Sequence, residues 1–358
     1  MKLVVLGLSI SSSWGNGHAT VFRALLKSFA QRGHRVTFLE RDVPWYAGDA
    51  RDNPHPEGVD LHLYGSLDAL KADHAGTLKA ADAVLIGSYV PDSPAVIDWA
   101  LATAPAGVPV AFYDIDTPVT LAKLARGDEE SLRVDQVPRL APYFSFTGGR
   151  TLQKLERELG SPRALPLYCA VDEATYTPDG SVERDLDLGY MGTWSEDRQP
   201  TVGRLLLAPA AALPGRRFAL VGPMYPEAVS WTPNVERVEH LPPAGHPRFY
   251  RRQRFTLNVT RADMIAAGWA PSVRLFEAAA CGTPVISDRW EGLGDVFRIG
   301  SEILVADTTD DAVRFLTDTP EGERAAIGAA ARARVLAEHT AAHRAAELEA
   351  GLTAAAFR

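Results

Sequence analysis

One local pattern occurs twice in this chain: a short apolar run, a polar loop, a helix and a second apolar run. The first copy begins with Leu3-Val4-Val5-Leu6-Gly7 after Lys2. The loop Ser9-Ile10-Ser11-Ser12-Ser13-Trp14-Gly15-Asn16-Gly17-His18 follows. A helix is expected from about Thr20 to Arg32, with Phe22, Leu25, Leu26 and Phe29 on its apolar face. Gly33 closes it, and Val36-Thr37-Phe38-Leu39 is the next strand. The second copy begins at Leu186-Asp187-Leu188-Gly189-Tyr190-Met191-Gly192. It continues through the polar loop 193–200, a helix from about Thr201 and the strand Phe218–Val221. Short apolar runs joined by helices are strands of a parallel sheet covered on both faces. A length of 358 residues exceeds what one ordinary core organises. The fold class expected is α/β, with two Rossmann-like domains.

Parallel sheets bind ligands at the carboxyl ends of their strands. In the first half those ends carry polar residues repeatedly. The first loop lacks the G-x-G-x-x-G spacing of a dinucleotide fingerprint. Its glycines, Gly15 and Gly17 around Asn16, still allow close backbone approach to a ligand. His18 is a candidate base or orienting group, since neutral imidazole takes a proton near neutral pH; a helix cap is the plainer alternative. Ala83–Gly87 is a strand, and Tyr89 lies just past its end. Val108–Tyr113 is another, followed by Asp114-Ile115-Asp116-Thr117. Two carboxylates on alternate residues can hold a metal ion that bridges phosphates. They can also touch a ligand, serve as base, or cap the helix starting near Thr117. Phe144–Gly149 is a further strand end, and residues 127–138 form a charged surface loop.

The second half contains Pro271-Ser272-Val273-Arg274-Leu275-Phe276-Glu277-Ala278-Ala279-Ala280-Cys281-Gly282-Thr283-Pro284-Val285-Ile286-Ser287. Pro271 suits a first helical turn. Gly282 suits a left-handed stop, Pro284 prevents continuation, and Val285–Ser287 is a buried strand. Glu277 is a carboxylate among alanines. An ionised Glu accepts both hydroxyls of a vicinal diol, and a helix N-terminus favours phosphate. Together these describe a nucleotide. Upstream, the strand Phe255–Thr260 delivers Arg261, a candidate phosphate cation. Asp263 is placed to pair with Arg261, and Trp269 offers a flat indole face.

The stretch Arg274-Leu275-Phe276-Glu277 through Ala280-Cys281-Gly282-Thr283-Pro284 resembles the donor-binding signature of GT-B glycosyltransferases. It is most similar to the CgeB-like group of the glycogen-synthase-like superfamily. The resemblance implies two Rossmann-like domains facing a cleft, with Glu277 on the ribose of a nucleotide-sugar. It implies that Arg198 and the backbone at Gly192, Thr193, Ser272 and Val273 meet the diphosphate, that Leu241 packs the base, that Arg274 belongs to the donor site, and that Asp263 would bind a donor-sugar hydroxyl and Trp269 cover a sugar face. The loop Gly15-Asn16-Gly17 with His18, Tyr89 and the Asp114–Asp116 pair then lies on the acceptor side. Many relatives carry a second Glu eight positions before the first; here that position is Trp269. The domains expected are residues 1–168 (acceptor side), 169–338 (donor side) and a terminal helix, 339–358, packing back on the first.

The implied function is transfer of a sugar, from a UDP-sugar by preference, to a glycan, lipid or small-molecule acceptor. No metal and no cofactor is expected, the nucleotide-sugar being a co-substrate. The alternatives are a non-catalytic nucleotide-sugar or glycan-binding subunit and a nucleotide-sugar epimerase. A net charge of −8 argues against a general nucleic-acid binder. The two cysteines, Cys169 and Cys281, form neither metal spacing nor a disulfide framework. No apolar run is long enough to span a bilayer, and the N-terminus has no signal-peptide pattern. A cytoplasmic protein is expected, with the inner membrane face as an optional peripheral location.

Overall fold

The computed structural model describes residues 1–356; residues 357 and 358, the end of the expected terminal helix, lie outside the described residues. The chain forms two compact units.

The first unit comprises Met1–Ala170 and the helix Ala341–Ala356. Its parallel sheet has seven strands: β1 (Lys2–Gly7), β2 (Arg35–Arg41), β3 (Val59–Tyr64), β4 (Ala83–Gly87), β5 (Val110–Asp114), β6 (Tyr143–Ser145) and β7 (Ala164–Pro166), in the order 3-2-1-4-5-6-7. The central strands are apolar because helices cover both faces. Val4, Leu6, Ile86 and Phe112 sit in one core. The first helix, His18–Gln31, buries Phe22, Leu25, Leu26 and Phe29 as its periodicity requires. The helix Ala341–Ala356 packs beside it, and Arg32 pairs with Glu349 at 2.5 Å. The charged segment before β6 is more ordered than its composition suggests. Gln136 is buried there and donates to the Pro94 carbonyl at 2.7 Å and to Asp98 at 3.0 Å.

The second unit is Val171–Thr340. Its six parallel strands are β8 (Leu186–Met191), β9 (Phe218–Val221), β10 (Val235–Val238), β11 (Gln253–Asn258), β12 (Val285–Ser287) and β13 (Leu304–Val305), in the order 10-9-8-11-12-13. The helix after β8 runs from Gln199 to Ala212 with a π turn at Gly203–Leu207. The signature helix is Val273–Ala280, with Ser272 as its N-cap. Pro271 therefore stands one residue before the cap rather than in the first turn. Gly282 does adopt the left-handed conformation, with φ +71°, and stops the helix before β12. In each unit the strand order reverses once, at β1/β4 and at β8/β11. Loops diverge there and open the sheet edge to a ligand.

Candidate donor and acceptor sites

The β8/β11 switch point is built around Arg274. Its guanidinium reaches across the sheet edge. Nε donates to the Met191 carbonyl at 2.7 Å, a second nitrogen reaches the same oxygen, and Nη1 donates to Asn258 Oδ1 at 2.9 Å. One face lies 5.0 Å over the Tyr190 ring. Asn258 Oδ1 also accepts from Ser272 Oγ at 2.8 Å, so the helix N-cap is tied to β11. Asn258 Nδ2 donates to Ser287 Oγ at 2.9 Å. Asp288 accepts from Thr260 N at 2.8 Å and Oγ1 at 2.7 Å. Burial raises the Asp288 pKa, against those hydrogen bonds. Arg274 is thus a brace between two strand ends. The Ser272 side chain makes no capping bond to its own helix, which leaves first-turn N–H groups, Val273 among them, available to an anion.

One turn further in stands Glu277, 4% exposed. Tyr250 donates to Glu277 Oε2 at 2.9 Å. Burial above all, then the Glu277 charge, holds the phenols of Tyr250 and Tyr176 well above their ordinary pKa, so both remain donors. Tyr250 lies in the helix His246–Arg251. That Arg-rich segment is no free cationic face: Arg251 donates to the Thr177 carbonyl at 2.6 Å, and Arg252 forks onto Asp185 at 2.8 and 2.7 Å.

Other sequence candidates gather around this edge. Gly192 follows β8, and its carbonyl accepts from Tyr225 at 3.2 Å. Gly222, after β9, comes so close that a Cβ there would meet the Gly192 oxygen at 2.1 Å. The Thr193 carbonyl accepts from Arg198 at 2.5 Å, and Arg198 Nε donates to Ser195 Oγ at 2.8 Å. Arg261 caps the short helix Ala262–Ala267, and its charge acts on Asp197. Asp263 is exposed in that helix's first turn. The Leu241 carbonyl accepts from His246 Nε2 at 3.0 Å. Trp269 has φ +44°. Its N–H donates to the Glu291 carbonyl at 2.7 Å and its Nε1 to Asp295 at 2.6 Å. The indole packs where a Cβ on Gly292 would stand, 2.4 Å away. The indole is held against the loop 291–295.

The β1/β4 switch point of the first unit brings His18, Tyr89 and Asp116 together. The His18 and Tyr89 rings are 5.4 Å apart, and Tyr89 donates to Asp116 Oδ2 at 2.9 Å. Tyr89 holds φ +66°, a conformation that costs energy in any residue with a Cβ. Burial lowers the His18 pKa, partly opposed by Asp116, and among the described residues Nδ1 is buried without a hydrogen-bond partner. Asn16 turns inward: its Nδ2 donates to the Ser12 carbonyl at 3.2 Å and its Oδ1 accepts from His18 N at 3.0 Å. Gly15, with φ +59°, and Gly17 are exposed beside it. Asp114 departs from its expected place in the site. It is fully buried and accepts from Tyr143 at 2.7 Å, Thr120 at 2.9 Å and Asp116 N at 3.2 Å. Its carboxylate points into the core, so it forms no chelate with Asp116 and positions the loop instead. Among the described residues, no three His, Cys, Asp or Glu side chains cluster as a metal site.

Solved structures match this architecture along its length. HepE of Anabaena, in complex with UDP-glucose, aligns with a TM-score of 0.70 at 14% identity, over 99% of this chain and 100% of that one. An α-glucosyltransferase in complex with UDP gives a TM-score of 0.72 at 14% identity, with the same coverage. The fold is GT-B. Sucrose-phosphate synthase of Thermosynechococcus elongatus aligns at 0.66 and 14% identity, over 99% and 100% of the two chains. A family model described as "Glycosyl transferase-like" matches residues 198–350. The matched family is glycosyl transferase-like, and one of these neighbours is a glucosyltransferase by name. The sequence has no match among curated proteins. The α-glucosyltransferase has also been solved with UDP and DNA. No helix of the described residues is long and apolar enough to cross a membrane.

Sequence reasoning missed Tyr250, Asn258 and Asp288. Asn258 had a usable signal, a polar residue closing an apolar strand. Tyr250 had none, because its partner is 27 positions away.

Proposed function

We propose that this GT-B chain is a glycosyltransferase of the CgeB-like group that moves a sugar from a UDP-sugar to an acceptor hydroxyl without a metal ion. The observation that carries the reading is the placement of Glu277. A buried carboxylate stands one turn inside a helix whose N-terminus opens at the β8/β11 switch point. An N-terminus for phosphate and an acceptor-only group for a diol suit a nucleoside diphosphate. The matched family and the neighbours solved with UDP or UDP-glucose support the same reading.

In this reading Glu277 takes the ribose hydroxyls and Leu241 lies against the base. Arg198, Arg261 and the N–H groups of Gly192, Thr193, Ser272 and Val273 take up charge on the departing diphosphate. That stabilisation is the main catalytic contribution, because negative charge grows there as the glycosidic bond breaks. In the first unit, the acceptor hydroxyl gives its proton to His18 or to Asp116, with Tyr89 orienting the latter. Burial keeps His18 neutral, and so able to accept a proton. The segment from Cys169 to residue 338 is taken as the donor part of the chain.

The test is calorimetric titration with UDP, GDP and dTDP, with EDTA present and absent. UDP should bind most tightly in both conditions, and Glu277→Ala should lose it. Binding by none of the three overturns the reading. Trp269 favours one alternative, a non-catalytic binding subunit, because its indole is committed to Asp295 where relatives have a second Glu. Single-turnover release of UDP from UDP-glucose in the presence of acceptor separates the two.

A further inference from the structure

The turn after β8 is walled by the loop after β9, which carries Tyr225. Trp194 N donates to the Pro223 carbonyl at 3.0 Å, and Gly222 leaves no room for a side chain against Gly192. Tyr225 is half-buried, and its hydroxyl donates to the Gly192 carbonyl at 3.2 Å. Hydroxyl donors prefer about 2.5–3.0 Å to oxygen, so this bond is long and weak. The ring, by contrast, is firmly held. The Arg237 guanidinium packs on two rings that meet edge to face, 4.6 Å from the Tyr225 centroid and 4.4 Å from that of Trp231. It also donates to the Leu220 carbonyl at 2.8 Å and the Gly222 carbonyl at 3.3 Å. Arg237 thus fixes the phenol to the end of β9 and leaves its hydroxyl loosely engaged.

The charge around that hydroxyl is positive. Burial keeps the phenol protonated, against the charges of Arg198, Arg237 and Arg274, which act on it together. Among the described residues, these three guanidiniums donate to neutral acceptors. Arg198 bonds Ser195 and Thr193, Arg237 bonds Leu220 and Gly222, and Arg274 bonds Met191 and Asn258. No carboxylate hydrogen-bonded to them cancels their charge. Beneath the same turn, Tyr190 Oη is fully buried and has no hydrogen-bond partner among the described residues. It and an Arg274 nitrogen converge where a Cβ on Gly192 would stand. Buried hydroxyls are normally bonded, so an unbonded one marks a set that a further oxygen completes. An anionic oxygen is also a stronger acceptor for Tyr225 than a carbonyl.

We propose that Tyr225 is a further residue of the donor site, its hydroxyl turning from the Gly192 carbonyl to a phosphate oxygen of the nucleoside diphosphate. This rests on the donor reading and adds an uncharged hydrogen-bond donor to the cations in it.

The experiment titrates the full chain with UDP by calorimetry and with uridine by ligand-observed NMR. The proteins compared are the native chain, Tyr225→Phe and Tyr225→Ala. Tyr225→Phe keeps the ring on Arg237 and removes the hydroxyl. It should weaken UDP by about tenfold or more while uridine stays within about twofold. Its melting temperature should match that of the native chain, and the phosphorus NMR resonances of bound UDP should shift. Tyr225→Ala should weaken UDP at least as much. UDP affinity unchanged in Tyr225→Phe overturns the proposal; loss in Tyr225→Ala alone would make the ring, not the hydroxyl, the contact. Equal losses of UDP and uridine in Tyr225→Phe also overturn it, because the hydroxyl then does not meet the phosphates. Failure of UDP, GDP and dTDP to bind the native chain overturns the donor reading itself. UDP binding that Tyr225→Phe leaves undisturbed overturns this proposal and leaves that reading standing.

Discussion

The Tyr250 phenol donates to Glu277 Oε2 at 2.9 Å inside the second unit, where both groups are buried. The bond fixes the carboxylate rotamer from beneath. Tyr250→Phe keeps the ring and removes the donor. A hydrogen bond to a charged group contributes about 1.5–3 kcal/mol, so UDP affinity should fall about tenfold or more. The loss should be smaller for a UDP analogue lacking both ribose hydroxyls. Calorimetry with the two ligands checks this. Equal losses would show that Tyr250 supports the fold and not the diol contact.

Arg274 and Arg198 should separate stability from binding. Arg274 spends its fork on Met191 and Asn258 across the sheet edge. A lysine has a single head and cannot span both. Arg274→Lys should cost about 2 kcal/mol in urea unfolding. Among the described residues, the Arg198 side chain bonds within its own loop, at Ser195 and Thr193. Arg198→Ala should change stability by less than about 0.5 kcal/mol while weakening UDP binding at least about tenfold. The reverse pattern would exchange their roles.

Gly292 lies under the Trp269 indole with φ +90°. A Cβ there would stand 2.4 Å from the ring and strain the backbone as well. Gly292→Ala should destabilise the second unit by more than about 1 kcal/mol. Trp269→Ala should remove the clash, so the double variant should lose less than the sum of the single losses. Additive losses would mean that the ring moves aside freely. Thermal unfolding of all four proteins decides it.

The parallel sheets were legible because their central strands are apolar on both faces, as at Leu3–Leu6 and Ala83–Ile86. The stop at Gly282 was legible because a left-handed turn excludes most side chains. The edge strand β3 was not, since Val59-Asp60-Leu61-His62-Leu63 alternates and is largely exposed. Of the candidate site, Glu277 stood out as a charge in an alanine run. What holds it did not, because Tyr250 lies in a separate helix, 27 positions earlier in the chain. Asp114 and Asp116 looked equivalent in sequence. Only their partners separate them: Asp114 turns into the core to accept from Tyr143, and Asp116 accepts from Tyr89.

That difference makes Asp114 a pH-dependent element of the first unit. Burial raises its pKa to about 6 from 3.8, against the hydrogen bonds from Tyr143 and Thr120. Between those values the folded carboxyl stays protonated while the unfolded one is ionised. The unfolded state then binds fewer protons, so the Asp114 contribution to stability falls as pH rises from about 4 to 6 and is flat above. A gap near two units is worth about 3 kcal/mol at most. Asp114→Asn removes the ionisation but keeps the shape. Its stability relative to the native chain should therefore improve by up to about 3 kcal/mol between pH 4 and pH 7, read from urea unfolding at each pH. A difference that stays constant across that window would mean that Asp114 is ionised throughout, with its three donors outweighing burial.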